Sequence, residues 1–269
     1  MIMIALLLGC RPPAEGAAAD TGQPSLEVQT LSDDSPYTSH FDRYIDVFGV
    51  RLLAAPDVPD DKITHAATIT AEYLDNDEDG IADDPPVVTA LSEERAVILM
   101  FANADAMEGS GLFWQGWMND VFAQDLAADE TAPEGEFDAS YEEVLHLIQT
   151  AGWAQVYAEV GTEEGTELAE AMDIARGGHF ESIPEPYPSA AWYHYDDTTC
   201  DYECMATEYF YWAMTSLLGV QAGRCGEIDD EWELCTADDV RGTDTAITAL
   251  LEGGAVPLPT VAPDGVYSP

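Results

Sequence analysis

Arg95-Ala96-Val97-Ile98-Leu99-Met100-Phe101 is a short apolar run of the length that suits a buried strand. Upstream, residues 41–55 (Phe-Asp-Arg-Tyr-Ile-Asp-Val-Phe-Gly-Val-Arg-Leu-Leu-Ala-Ala) are apolar enough to enter the core as a strand or strand pair. Between the two, Asp60 or Asp61 caps a predicted helix over 62–74, with Ile63, Ala66, Ala67, Ile69, Ala71 and Leu74 on one apolar face. Residues 86–93 read as helical or irregular, and the aromatic, glycine-punctuated stretch 109–116 as a loop that packs down. Further on, helices are expected over 140–151 (ended by Gly152), 165–176, 200–219 and 237–252, with an ordered Pro/Tyr/Asp-rich loop over 181–198. This order of elements predicts an α+β fold, mainly helical, with a small sheet packed on helices.

The chain has 269 residues and is 46% hydrophobic, enough for a real core. Charge is extreme: 53 Asp+Glu against 8 Lys+Arg, a formal net of −45, with Lys62 as the only lysine. So few cations cannot build a phosphate-binding surface, which excludes nucleic acid as a partner and favours divalent cations. The start, Met-Ile-Met-Ile-Ala-Leu-Leu7-Leu8-Gly9-Cys10, resembles a bacterial lipobox in its last four residues. That resemblance implies a signal peptide over 1–9, lipidation of Cys10, export, and anchorage to the cell envelope through the lipid alone. Residues 10–36, rich in Ala, Gly, Pro, Ser and Asp, then read as a tether to one globular domain over 37–269. Four cysteines remain: Cys200, Cys204, Cys225 and Cys235. In an exported chain they read as two disulfides, with three connectivities open.

Asp75-Asn-Asp77-Glu-Asp79-Gly80-Ile81-Ala-Asp83 places carboxylates at alternate positions, then a Gly for a tight turn, then another Asp. This spacing wraps oxygen ligands around Ca²⁺, with Ile81 offering its backbone carbonyl. The loop resembles those of EF-hands, dockerins and thrombospondin-type repeats. It departs from a full EF-hand in two ways: Pro86 stands at the twelfth position, and no second apolar helix is expected directly after it. It reads as a structural calcium loop that pins a helix end.

The predicted helix 140–151 contains Glu142-Glu143-Val144-Leu145-His146. Positions i, i+3 and i+4 share a face, so Glu142 with His146, or Glu143 with His146, can hold one ion. A structural alternative is a capping box, Ser140-x-x-Glu143, with two acids in the first turn facing the helix dipole. The run resembles the His-Glu-x-x-His helix of zinc peptidases, with Glu142 in the place of the first His. A zincin-like arrangement of the gluzincin type implies Glu142 and His146 as ligands, Glu143 as general base, and a third ligand from a later helix. Glu208, in the aromatic stretch Ala206-Thr-Glu-Tyr-Phe-Tyr-Trp212, is the candidate. His194, beside Tyr193 and Tyr195, is a candidate ligand or transition-state hydrogen-bond donor. One imidazole with carboxylates also suits ions harder than zinc.

These readings lead to an exported metal-dependent hydrolase, a zinc peptidase-like protein stabilised by calcium, acting on peptides. The rival is a non-catalytic, calcium-binding surface or structural lipoprotein. No nucleotide-binding loop, Gly-x-Ser-x-Gly elbow or Cys/His nucleophile pair is present in the sequence.

Overall fold

The computed structural model describes residues 24–269; residues 1–9, expected from the sequence to be a signal peptide, and Cys10 lie outside the described residues. The chain divides into two compact units, one reaching Gly152 and including Pro263–Pro269, the other Trp153–Ala262. The fold class is α+β, as expected from the order of apolar runs.

The first unit is built on a five-stranded sheet in the order β1 (Gln29–Thr30), β2 (Arg43–Val47), β3 (Val50–Ala54), β4 (Ala96–Phe101), β5 (Phe122–Ala127). The first two pairings are antiparallel and the last two parallel. Residues 41–55 do form a strand pair. The turn between β2 and β3 has Phe48 and Gly49 at φ 43° and 87°, the positive pair that a two-residue hairpin needs to match strand twist. A Cβ at Gly49 would also lie 2.8 Å from the Val88 carbonyl, so no larger residue fits there. Ordered structure starts ahead of Tyr37, because Gln29 and Thr30 pair with Tyr44 and Arg43.

Parallel neighbours need a crossover. α1 (Asp60–Leu74) and α2 (Pro85–Glu94) link β3 to β4, while α3 (Ala104–Gly109) and two 3₁₀ turns link β4 to β5. Every residue of β4 is buried, which is why its sequence is an unbroken apolar run. The stretch 109–116 packs down only in part: Leu112 is buried, but Trp114 is 90% exposed. α4 (Ser140–Ile148) packs on β5 and against α1, then continues as a π turn, Gln149–Trp153. Gly152 therefore does not end the helix. It admits α2 instead, since a Cβ there would stand 2.9 Å from Val87 Cγ1 and 3.3 Å from Leu91.

The second unit holds α5 (Ala154–Val156), α6 (Glu167–Ala175), α7 (Tyr202–Leu217), α8 (Ala237–Thr243) and α9 (Thr245–Glu252). The single helix expected over 237–252 is two, because Asp244 breaks it. Its buried carboxylate caps Ile247 N (3.1 Å) and accepts from Tyr209 Oη (2.7 Å) and Trp192 Nε1 (2.8 Å). Those side-chain bonds need a residue that has left helical geometry. Tyr193, Tyr209 and Trp232 stack into an aromatic core. Disulfides join Cys200 to Cys204 and Cys225 to Cys235, one of the three connectivities left open by the sequence.

Candidate functional site

The calcium-type loop joins α1 to α2, so a helix does follow it directly, contrary to the expectation from the sequence. Val87, Val88 and Leu91 are the buried residues of that helix; its two leading prolines, one of them at the twelfth position, hid it. Proline is favoured in a helix's first turn because no amide is needed there. Asp75 is fully buried, and its carboxylate accepts from Asp79 N (3.2 Å) and Gly80 N (2.8 Å). Gly80 supplies the left-handed turn at φ 86°. Asp75, Asp77 and Asp83 each offer a carboxylate oxygen within 4.8 Å of the others. Asp79 is not in that group; its Oδ1 accepts from Ile81 N at 2.9 Å. Burial and the neighbouring charges of Asp77, Asp75 and Asp79 hold the Asp83 carboxyl above its usual range. A dication relieves both the repulsion and the desolvation.

On α4 the capping box does not form. Ala139 is the N-cap and no side chain caps the helix; just ahead of it Asp138 accepts at Oδ1 from Ser140 N (3.0 Å), and its other oxygen meets His65 Nε2 at 2.6 Å. Ser140 Oγ has no hydrogen-bond partner among the described residues. Glu143 turns instead toward the sheet, where Gln124 Nε2 on β5 donates to its Oε2 at 2.5 Å. Glu143 is 6% exposed and His146 1% exposed. Their side chains approach to 3.7 Å between Oε2 and Nδ1. Burial, with Asp125 close by, pushes the Glu143 carboxyl up to about 8, and burial pulls the His146 imidazole down to about 4. His146 is thus neutral at neutral pH, the form that ligates metals. Glu142 lies one turn before it on the same helix.

Asp125 on β5 was not singled out by the sequence. It lines a cavity of about 110 Å³ together with Glu143. Burial raises its carboxyl to about 6. The folded protein therefore takes up a proton here that the unfolded chain releases near pH 4. Folded-state stability from this group is fully present below pH 4 and is lost as pH rises through about 6. The loss amounts to roughly 2–3 kcal/mol. Asp125→Asn is accordingly expected to raise the urea midpoint at pH 8 and to leave it nearly unchanged at pH 4. Equal midpoints at pH 8 would contradict this account.

In the second unit, Glu208 sits on α7 and is 1% exposed. Tyr195 Oη donates to its Oε1 at 3.3 Å. Tyr193 is turned elsewhere, donating to the Met205 carbonyl at 2.7 Å. His194 is occupied locally: its Nε2 meets the Ala191 carbonyl at 2.9 Å and its ring packs 5.5 Å from that of Tyr187. Of the three residues considered between 193 and 195, Tyr195 is the one that reaches Glu208.

No helix among the described residues is long and apolar enough to cross a membrane. Comparison with protein-family models, curated proteins and solved structures finds no match to this chain.

Proposed function

We propose that the protein is a calcium-stabilised, metal-dependent hydrolase acting on peptides, exported and lipid-anchored through Cys10. In this reading Glu142, His146 and Glu208 hold a divalent transition metal, and Glu143 is the general base in a zincin-like arrangement. The observation that carries it is the state of His146: buried, neutral, and one helical turn from a carboxylate. The three residues each offer one ligand atom, two carboxylate oxygens and one imidazole nitrogen. That donor chemistry fits zinc and also manganese or iron. An ion bound there supplies Lewis acidity toward a carbonyl and toward water.

The chain's own side chains do the rest. Gln124 fixes Glu143 Oε2, leaving Oε1 to take a proton from water. A positive charge near Glu143 draws its carboxyl down from the raised value toward the ionised form a base requires. Tyr195 orients Glu208 through Oε1.

Metal analysis of protein purified without chelator tests the reading. One transition-metal ion per chain is expected beside calcium, with Glu208→Gln and His146→Ala each losing the former only. Glu143→Gln should keep both metals and lose peptide hydrolysis. Calcium alone in the parent protein would abandon the hydrolase in favour of a non-catalytic, calcium-binding surface lipoprotein, which the Asp75–Asp83 loop supports by itself.

A further inference from the structure

We infer that Arg176, at the C-terminal end of α6, receives a monocarboxylate carried on a small apolar body, beneath a proline-rich flap formed by residues 181–188. The site lies wholly in the second unit and goes beyond the metal reading without depending on it. Arg176 is 0% exposed, yet its Nε and Nη2 have no hydrogen-bond partner among the described residues. It makes no ion pair among them either, whereas Arg43, Arg51, Arg224 and Arg241 all do. Asp173, one turn earlier, turns Oδ2 to His179 Nδ1 at 2.8 Å instead.

The guanidinium is held so that one edge is left over. Its Nη1 donates to the Phe180 carbonyl at 2.8 Å. Its Cζ lies over the rings of Phe180 and Tyr187, 5.4 and 5.8 Å from their centroids, so aromatic rings cover the cation. The Tyr187 hydroxyl spends its proton on the Tyr195 carbonyl at 2.7 Å. Nε and Nη2 remain, and they form the two-donor fork that matches the two oxygens of a carboxylate. A buried cation without a counter-ion is costly. In a chain with 53 Asp+Glu and 8 Lys+Arg, it is not unpaired for want of acids.

The cover is lightly tied. Residues 181–186 make no hydrogen bond with any described residue, and the prolines at 184, 186 and 188 have no amide to donate. A segment with so few bonds opens locally at low cost. Tyr187, whose ring covers Arg176, also lines an open cleft of about 960 Å³ with Ile183, Pro188 and His194. A ligand in that cleft is therefore one ring away from the guanidinium. Charge selects the ligand. Asp196, Asp230 and Glu233 rim the cleft and repel a dianion such as phosphate more than a monocarboxylate. The apolar body stays with Ile183 and Tyr187.

Calorimetric titration of the dialysed protein with sodium benzoate, in calcium-containing buffer, tests this. The expected result is saturable one-to-one binding, with the neutral benzamide at least about tenfold weaker. Arg176→Met keeps the length but not the charge, and Arg176→Lys keeps the charge but not the fork. Each should weaken benzoate by at least about tenfold. The lysine variant and the benzamide comparison stand if the methionine variant fails to fold. Protein stripped of transition metal with phenanthroline should bind benzoate as the parent does. Non-saturable uptake, equal affinity in the parent and either variant, or loss of binding on stripping, which would assign the benzoate to a metal, would overturn the inference. The metal content of the same samples is measured separately, so either reading can fail alone.

Discussion

A chain ending at Ala262 is expected to lose several kcal/mol of stability in its first unit. Residues 263–269 tie down buried and half-buried carboxylates of α1 and the loop that follows it. The amides of Asp264 and Gly265 donate to the two oxygens of Glu72 at 2.9 and 3.0 Å, and Glu72 is only 4% exposed. Tyr267 Oη donates to Asp75 Oδ2, and Ser268 N to Glu78 Oε2 at 2.9 Å. Tyr141 Oη reaches back to the Pro263 carbonyl at 3.2 Å. Gly265 lies so close to the His65 ring that a Cβ would stand 2.9 Å from it. A hydrogen bond to a charged group contributes about 1.5–3 kcal/mol, and an orphaned buried acceptor adds its own desolvation cost. Discounting the exposed Ser268–Glu78 contact, the truncation should cost roughly 3–6 kcal/mol. Urea unfolding followed by far-UV circular dichroism measures this. Glu72→Gln, which keeps one acceptor oxygen, should cost less. An unchanged midpoint on truncation would show that the tail is not part of the folded unit.

Calcium should raise the unfolding temperature of the same unit, and Asp77→Ala should remove the response. Asp77 is the gentler choice because Asp75 also carries the amides of Asp79 and Gly80 and the hydroxyl of Tyr267. With a dissociation constant on the order of 10⁻⁵ M, millimolar calcium adds about 2.7 kcal/mol by mass action. That corresponds to roughly 5–10 °C for a protein of this size. The comparison is a thermal melt with excess calcium against one with excess EGTA. Coincident melts would mean that Asp75, Asp77 and Asp83 form no calcium site under those conditions.

Much of the fold was readable because burial leaves a pattern. β4 is apolar at every position since parallel partners flank it on both sides, and α1 shows its buried stripe at helical spacing. β5 escaped notice because Gln124 and Asp125 interrupt it; what makes it a strand is residue-by-residue pairing to β4, from Ala96–Phe122 to Phe101–Ala127, which is not a local property. The same interruption hid the cavity, since both polar residues belong to the surroundings of Glu143. α2 was obscured by its two leading prolines. On α4 the positions of Glu142, Glu143 and His146 within one helix were legible, but the partner of Glu143 was not. A capping box is a local expectation, and it lost to a carboxamide 19 residues upstream. Nothing in the proline-rich tail signalled that its amides serve Glu72, because backbone donors carry no sequence signature.

The grouping of Pro263–Pro269 with the first unit has a consequence for biosynthesis. The second unit, Trp153–Ala262, is spliced between α4 and the tail. A chain made from its N-terminus presents Glu72 and Asp75 long before Asp264, Gly265 and Tyr267 arrive to satisfy them. The first unit therefore cannot reach its final hydrogen-bonded state until Asp264, Gly265 and Tyr267, which follow the whole second unit in the chain, have emerged.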